Sequence, residues 1–126
     1  MEKIALVTGS TSNIGKAIAE TLSRDGYHVI ITSRNEQECR EVAGKLAREG
    51  SYFHLDFSQA EDIKALFAFI KEKFGRLDVL VNNVAYTKNE SILDCDLETW
   101  QLTIDTNLRS YYLCSRYAAL LMKIYV

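Results

Sequence analysis

A segment that contains two glycines, TGSTSNIG at residues 8–15, separates an apolar run from a stretch with helical periodicity. Small residues between a first strand and a helix suit a dinucleotide, because the backbone can then approach a pyrophosphate at the helix N-terminus. Gly9 would make the turn, Gly15 would let the helix lie close to the sheet, and Asn13 would occupy a position that needs a left-handed backbone. The candidate phosphate-binding residues are Gly9, Ser12, Asn13, Ile14 and Gly15. The alternative is an ordinary turn of small residues, since two glycines six residues apart are a weak signal.

The end of the second apolar run reads ITSRNE, with Ser33 and Arg34 at the place where dinucleotide folds choose between NAD and NADP. A hydroxyl and a guanidinium match a phosphate, whereas an acid at this place would bind the ribose of NAD. The first acid, Glu36, comes two residues later, at the start of the next helical segment. These residues therefore favour NADP over NAD, unless Arg34 is only a solvated surface residue.

Polar residues also follow the third and fourth apolar runs. Asp56 lies in LDFS, and NNVA supplies Asn82, Asn83 and Ala85. These positions fall at the carboxyl ends of predicted strands, where open α/β sheets bind ligands. Two structural alternatives remain: Asp56 could cap or shape the following turn, and the two asparagines could be a plain turn pair.

Four short apolar runs rich in β-branched residues predict the strands that carry these positions: Ile4–Val7, Val29–Thr32, Tyr52–Leu55 and Val79–Val81. Helical periodicity between them predicts three apolar faces, formed by Ile14, Ile18 and Leu22, by Cys39, Val42, Ala43 and Leu46, and by Ile63, Leu66, Phe67, Ile70 and Phe74. Expected helix ends are the C-terminal caps Gly26, Gly50 and Gly75 and a capping box of Ser58 with Glu61. This alternation predicts an α/β fold, a doubly wound parallel sheet of Rossmann type with about four strands in the order 3-2-1-4, in a single domain over residues 1–126.

A last helix is expected to begin near Asp96 and to run toward the C-terminus. Its predicted stripe comprises Trp100, Ile104, Asn107, Tyr111, Cys114 and Ala118. Asn107 is the polar member, and a buried amide must find hydrogen-bond partners. It therefore either reaches backbone groups or lines a wet site, and the simplest alternative is an asparagine satisfied within a helix interface.

Composition narrows the class of protein. The chain has 126 residues, 48% of them hydrophobic, and a net charge of −2, which argues against a nucleic-acid partner. No apolar run approaches the length of a membrane span or of a signal-peptide core, so a cytoplasmic location is expected. Three cysteines without a C-x-x-C pair, Cys39, Cys95 and Cys114, suggest reduced thiols and no metal site.

Taken together, Thr-Gly-x-x-x-x-Ile-Gly, LDFS, NNVA and the DTNL of residues 105–108 resemble the N-terminal half of the short-chain dehydrogenase/reductase family over essentially the whole chain. The resemblance implies that Gly9, Asn13 and Gly15 hold the pyrophosphate. It also implies that Asn82 and Asn83 support the sheet and the adenosine ribose, that Asp56 approaches the adenine, and that Asn107 belongs to the catalytic set. Asn13 and Ala85 depart from the pattern, since glycine is usual at both positions.

The family's proton donor is a tyrosine in Tyr-x-x-x-Lys, with a serine nearby, and this sequence contains no such pair. The nearest match, Tyr112 with Arg116, is expected on a helix surface, because arginine stays protonated. We therefore expect an N-terminal portion of an NADP-dependent oxidoreductase that is inactive alone, with acyl-carrier-protein ketoreductases and sugar dehydrogenases as the most similar members. The alternative is a nucleotide-binding or interaction module without chemistry. An open edge on the fourth strand and an apolar last helix, with Leu108, Tyr112, Leu120 and Leu121 facing water, lead us to expect self-association.

Overall fold

The computed structural model describes residues 2–122 as a parallel sheet with helices on both faces. The strands are β1 (Ile4–Val7), β2 (His28–Ser33), β3 (Ser51–His54) and β4 (Val79–Val81), and they lie in the order β3-β2-β1-β4. The helices are α1 (Asn13–Arg24), α2 (Glu36–Lys45), α3 (Ala60–Lys73), α4 (Leu97–Ile104) and α5 (Ser110–Met122), with a π-helical segment at Asp105–Arg109. The predicted fold class and strand order are confirmed.

All strand pairs are parallel, so the ends of the strands meet at one edge of the sheet. Val7 pairs with Ile31 on one side and with Val81 on the other. Alternate residues of β1 point into two separate cores, because successive side chains of a strand face opposite ways. Ile4 and Leu6 join the core beneath α3 and α5, whereas Ala5 and Val7 join the one beneath α1 and α2.

Helix α1 buries small residues beside part of the apolar face that its periodicity predicts, since Ile18 and Leu22 pack against the core beneath α1 and α2. Gly15, Ala19 and Ser23 are buried, whereas Ile14 is 70% exposed. Small residues at four-residue steps let this helix lie close against β1 and β2, and larger side chains on that face would hold it away. The apolar stripe assigned to Ile14, Ile18 and Leu22 was therefore wrong at its first member.

Two of the predicted C-terminal caps are confirmed. Gly26 and Gly75 have φ values of +99° and +70°, in the left-handed region that ends a helix without strain. Gly50 is not a cap, because α2 already ends at Lys45. The absence of a side chain at Gly50 instead lets this residue pass the backbone of β2, where an added Cβ would overlap the carbonyl oxygen of Val29.

The predicted capping box of Ser58 with Glu61 was wrong. Gln59 occupies the N-cap position of α3, and the Ser58 hydroxyl donates instead to Asp56 Oδ1 at 2.7 Å. Asparagine and aspartate cap the starts of α2 and α4: Asn35 Oδ1 accepts from Glu38 N at 3.0 Å, and Asp96 Oδ1 accepts from Thr99 N at 2.8 Å.

The last helical region begins after Asp96, as predicted, but it is not one continuous α-helix. The π-helical segment adds a wider turn between α4 and α5, which rotates the two helices relative to a single stripe. Trp100 is consequently 52% exposed, whereas Cys114 and Ala118 are buried. The predicted stripe therefore holds only in its second half.

No helix within residues 2–122 is long and apolar enough to cross a membrane.

Candidate functional site

The glycine turn between β1 and α1 has the backbone geometry that the sequence predicts. Gly9 has a φ of +66°, and Asn13, the first residue of α1, has a φ of +49°. Asn13 is the non-glycine residue with positive φ among the described residues. Asparagine tolerates this conformation better than other side chains do, so it can replace glycine here at modest cost.

Gly15 allows the helix to lie against the turn itself. A Cβ built on Gly15 would overlap the carbonyl oxygen of Gly9 and would lie 2.5 Å from Asn83 Nδ2. A Cβ on Gly9 would lie 3.0 Å from Val84 Cα, another very close contact. Neither glycine can be enlarged without moving backbone, so the shape of this cradle depends on both.

Thr8 joins the end of β1 to the end of β4. Its Oγ1 accepts hydrogen bonds from Asn83 N at 2.9 Å and from Val84 N at 3.0 Å, and the residue is fully buried. In the opposite direction, Asn83 Nδ2 donates to Thr8 O at 3.2 Å and to Gly9 O at 3.0 Å. The Asn83 carboxamide thus supports the glycine turn from below, which is more than a plain turn pair would do.

Buried hydroxyls fix the turn from the β2 side. Thr32 Oγ1 accepts from Gly9 N at 3.2 Å and donates to Val7 O at 3.0 Å. Ser10 Oγ accepts from Thr32 N at 2.9 Å and donates to Val7 O at 2.8 Å. Sequence reasoning did not single out Thr8, Ser10 or Thr32 as site residues. The available signal was that Thr8 directly follows the apolar run of β1, that Ser10 comes two residues later, and that Thr32 directly follows the apolar residues of β2.

A cavity of about 260 Å³ lies at this edge of the sheet, and we call it the β2-end cavity. It is lined by Gly9, Ser33, Arg34, Asn35, Glu38, Asp56, Phe57, Val84, Ala85, Tyr86, Leu102 and Thr106. An adjoining groove of about 280 Å³, the turn groove, is lined by Gly9, Thr11, Ser12, Asn13, Ile14, Asn83, Val84 and Ala85. The two spaces share Gly9, Val84 and Ala85, so they form one continuous surface over the carboxyl ends of the strands.

Most predicted cofactor residues line these two spaces, whereas Gly15 and Asn82 do not. Gly15 acts through the close approach described above. Asn82 Nδ2 donates to Ser115 Oγ at 3.1 Å, which ties the end of β4 to α5. Its Oδ1 is buried and has no hydrogen-bond partner in the described part of the chain.

Asp56 both shapes its turn and lines the β2-end cavity. Its Oδ1 accepts from the backbone N of Ser58 at 2.9 Å as well as from the Ser58 hydroxyl. The turn-shaping alternative is therefore correct for this oxygen, and the cavity contact is present beside it.

Ser33 holds the beginning of α2. Its Oγ donates to Asn35 O at 3.2 Å and accepts from Asn35 N at 3.1 Å, and it lies 3.3 Å from Cys39 Sγ. Arg34 is exposed at the rim of the β2-end cavity. Its guanidinium is thus available to a ligand from solvent.

Asn107 reaches backbone groups, which was one of the two predicted outcomes. Its Oδ1 accepts from Tyr86 N and its Nδ2 donates to Tyr86 O, both at 2.8 Å. The residue sits in the middle of the π-helical segment, and such segments are frequent at functional sites. A second tether lies close by, because the Tyr111 hydroxyl donates to Val84 O at 2.8 Å and burial raises the pKa of this phenol.

The remaining reactive groups lie away from a catalytic arrangement. Tyr112 is 60% exposed and Arg116 is exposed, so this pair lies on the helix surface as predicted. The three cysteines are free thiols, and burial raises the pKa of Cys39 and brings that of Cys114 to about 12. Neither buried thiol is therefore a ready nucleophile.

Comparison with known proteins places this geometry in a family. The family model described as short chain dehydrogenase matches residues 3–124. A 3beta-hydroxysteroid dehydrogenase of Mediterraneibacter gnavus is 37% identical over 97% of this chain and 46% of its own length. A 3-oxoacyl-[acyl-carrier-protein] reductase of Haemophilus influenzae is 40% identical over 90% of this chain and 47% of its own.

Solved structures agree. An L-sorbose reductase from Gluconobacter frateurii, in complex with NADPH and L-sorbose, superposes with a TM-score of 0.90 at 29% identity, over 96% of this chain and 48% of that one. An actinorhodin polyketide ketoreductase with NADPH gives a TM-score of 0.87 at 30% identity, over 94% and 46% of the two chains. The chain spans about half the length of the curated relatives it matches.

Proposed function

The chain belongs to the short-chain dehydrogenase/reductase family, and from this premise we propose that residues 1–126 are the dinucleotide-binding domain of an oxidoreductase that acts on carbonyl or alcohol substrates. The observation that carries the proposal is the continuous surface formed by the β2-end cavity and the turn groove. It lies at the carboxyl ends of parallel strands and leads to the N-terminus of α1, the place where this architecture binds a pyrophosphate.

The residues present fit a nicotinamide dinucleotide. A Cβ on Gly9 would crowd Val84 and one on Gly15 would overlap Gly9 O, so the two glycines allow a tight turn. This turn places the N-terminus of α1 beside the turn groove, where a pyrophosphate could bind. Ser12, Asn13 and Ile14 would contact it from the start of α1, and Asn83 would hold the turn in shape. Asp56 and Ala85 would line the adenosine side, while Asn82 supports β4 from α5.

The nicotinamide, when bound, accepts or supplies a hydride. Asn107 is the member of the proposed catalytic set in this chain, and it is a positioning residue, since both of its amide hydrogen bonds go to Tyr86. A proton donor of the Tyr-x-x-x-Lys type is absent from the sequence. We therefore infer that these 126 residues alone bind the cofactor without catalysing turnover.

Ser33 and Arg34 lead us to propose NADP(H) as the preferred cofactor. An exposed guanidinium at the rim of the β2-end cavity can make a charge-assisted, bidentate contact to the 2′-phosphate, worth about 1.5–3 kcal/mol. That free energy corresponds to at least a tenfold preference over NAD(H). The NADPH bound in two structurally similar proteins supports the proposal.

Calorimetric titration of the purified chain with NADPH and NADH tests both statements. We expect tighter binding of NADPH and a reduced NADPH preference in Arg34→Ala, with Arg24→Ala, an exposed arginine on α1, as the matched control. Equal affinities for the two cofactors, or an unchanged ratio in Arg34→Ala, would exclude the proposed preference.

A module without any redox role is the second candidate function, and the missing Tyr-x-x-x-Lys pair favours it. The two candidates predict different results when the chain is joined to a segment that supplies the proton donor. A preparation that carries a continuation with the proton donor should oxidise NADPH with a panel of ketones, whereas a binding module would hold the cofactor without consuming it. Steady NADPH consumption by the 126-residue chain itself would contradict our inference that it lacks turnover.

A further inference from the structure

Glu38 brings a negative charge to the same cavity as Arg34. It is the third residue of α2 and lines the β2-end cavity together with Ser33 and Arg34. Its carboxylate Oε1 accepts a hydrogen bond of 3.4 Å from Thr11 Oγ1, a residue of the glycine turn that lines the turn groove. The carboxylate therefore stands between the place proposed for the 2′-phosphate and the place proposed for the pyrophosphate.

The geometry at the start of α2 explains why Glu38, and not a neighbouring acid, lies at this position. Asn35 Oδ1 accepts from Glu38 N at 3.0 Å, which fixes the first turn of the helix. Glu36 faces elsewhere, because its carboxylate contacts Arg40 at 3.2 Å and His54 Nδ1 at 3.1 Å. Glu41 accepts from Gln37 Nε2 at 3.1 Å and is not part of the cavity lining.

The charged residues that line the β2-end cavity are thus one cation, Arg34, and two acids, Glu38 and Asp56. Asp56 directs one carboxylate oxygen to the Ser58 hydroxyl and amide, which disperses part of its charge. The Glu38 carboxylate accepts the long hydrogen bond from the Thr11 hydroxyl, and the residue is exposed. A phosphate that enters this cavity would therefore meet an opposing charge as well as the guanidinium.

We propose that Glu38 is a specificity-determining residue that limits the preference for NADP(H) over NAD(H). The inference rests on the proposed function, because it assumes that the 2′-phosphate lies in the β2-end cavity. Repulsion between like charges weakens binding of NADP(H) more than that of NAD(H), because both cofactors carry the pyrophosphate but only NADP(H) brings a 2′-phosphate into this cavity. Since Glu38 is exposed, salt screens the effect and keeps it modest.

The test compares Glu38→Gln with Glu41→Gln by calorimetric titration of NADPH and NADH. Both substitutions remove one carboxylate from an exposed position on α2, but only Glu38 lines the β2-end cavity. We expect Glu38→Gln to tighten NADPH binding about three- to tenfold and to leave NADH within about twofold. Glu41→Gln should leave the ratio of the two affinities unchanged, and the gain in Glu38→Gln should shrink at about 0.5 M salt.

The possible results separate the role of Glu38 from the proposed cofactor-binding function. An unchanged ratio in Glu38→Gln, or an equal change in Glu41→Gln, would overturn the role of Glu38 and leave the proposed function intact. A gain that is the same for NADH and NADPH would also overturn it, because an effect on the 2′-phosphate must favour NADPH. Failure of the unsubstituted chain to bind either cofactor would overturn the proposed function and this inference with it.

Discussion

The carboxamide of Asn107 and the backbone of Tyr86 are joined by two hydrogen bonds of 2.8 Å, one in each direction. Asn107 lies in the π-helical segment, and Tyr86 lies in the irregular stretch that follows β4. This side chain therefore replaces the backbone partner that a neighbouring strand would give Tyr86.

We expect Asn107→Ala to lower the free energy of unfolding by about 1–3 kcal/mol, because both Tyr86 groups lose their partners. Asn107→Asp should cost at least as much, since a second carboxylate oxygen would face Tyr86 O. Asn89→Ala, at an exposed position in the same stretch, is the control. Urea denaturation measures all three variants, and equal stability of Asn107→Ala and Asn89→Ala would contradict the prediction.

Two glycines on helices should respond in opposite ways to a single methyl group. Gly15→Ala should cost more than about 3 kcal/mol, because its Cβ would overlap Gly9 O and approach Asn83 Nδ2. Gly44→Ala, in α2 with no atom within 4 Å of the added Cβ, should stabilise the protein by about 0.5–1 kcal/mol. Thermal denaturation of both variants gives the comparison, and a stable Gly15→Ala protein would show that α1 does not need this contact.

The left-handed backbone at Asn13 leads to a third prediction. Asn13→Gly should leave stability unchanged or slightly raise it, whereas Asn13→Ala should cost about 1 kcal/mol, because alanine adopts a φ of +49° only with strain. Chemical denaturation of the two variants, measured against the unsubstituted chain, tests this order. The reverse order would mean that the carboxamide, and not the backbone conformation, is what matters at this position.

His28 should make stability depend on pH between about 5 and 7. Its ring packs against Phe74 with centroids 5.2 Å apart, its Nε2 lies 2.8 Å from Ser51 Oγ, and burial lowers its pKa. The folded state then binds fewer protons than the unfolded state just below the ordinary histidine pKa of about 6.5. The free energy of unfolding should therefore be highest above this pH, where His28 is neutral in both states, and should fall as the pH is lowered through the window.

Substitution of His28 isolates this effect. His28→Gln should flatten the pH dependence relative to the unsubstituted chain. Urea denaturation between pH 5 and pH 8 provides the measurement. An unchanged slope in His28→Gln would assign the dependence to other groups.

Self-association remains a prediction, and the structure refines the surface involved. Leu108, Tyr112 and Leu120 are 60–63% exposed, as expected, but Leu121 is half-buried against the core beneath α3 and α5. Within residues 2–122 no strand pairs with the outer edge of β4. Exposed apolar side chains beside an open strand edge favour association.

We expect a dimer or larger species in sedimentation at micromolar concentration, shifted toward monomer by Leu108→Glu with Leu120→Glu. Leu93→Glu, at a position 92% exposed in the stretch before α4, is the comparison variant. A stable monomer in the unsubstituted chain would refute the prediction, and dissociation by Leu93→Glu alone would move the interface to that stretch.

The sequence pattern predicted β1 and β4 to the residue, because apolar side chains occupy every position of both strands. It placed the starts of β2 and β3 one residue late, since His28 and Ser51 are polar and join the sheet through pairing with neighbours. On α1, the close approach of Gly15 was expected, but the burial of Ala19 and Ser23 was missed, because small residues carry little hydrophobic signal. The π-helical segment depends on tertiary contacts such as the one from Asn107 to Tyr86, and no local pattern in DTNLR indicates it.

For the candidate site, position at strand ends was enough to find the glycine turn and the Asn82–Asn83 pair. The sequence indicates that Asn83 needs hydrogen-bond partners but does not identify them, because they are the backbone carbonyls of Thr8 and Gly9, 75 and 74 residues earlier in the chain. Thr8 was missed because a threonine at the end of a buried strand is common, and its two acceptor contacts exist only once β4 lies beside β1.

The contact between Thr8 and Asn83 also has a consequence for folding, because it joins distant parts of the chain. The chain must close a loop of 75 residues before the Thr8 hydroxyl can meet the Asn83 amide, and closing a loop of this length carries a substantial entropic cost. The segment that contains β1, α1 and β2 can come together earlier through shorter connections, but the cradle is incomplete until β4 docks. We therefore expect the ligand-ready surface to form only once β4 has docked beside β1.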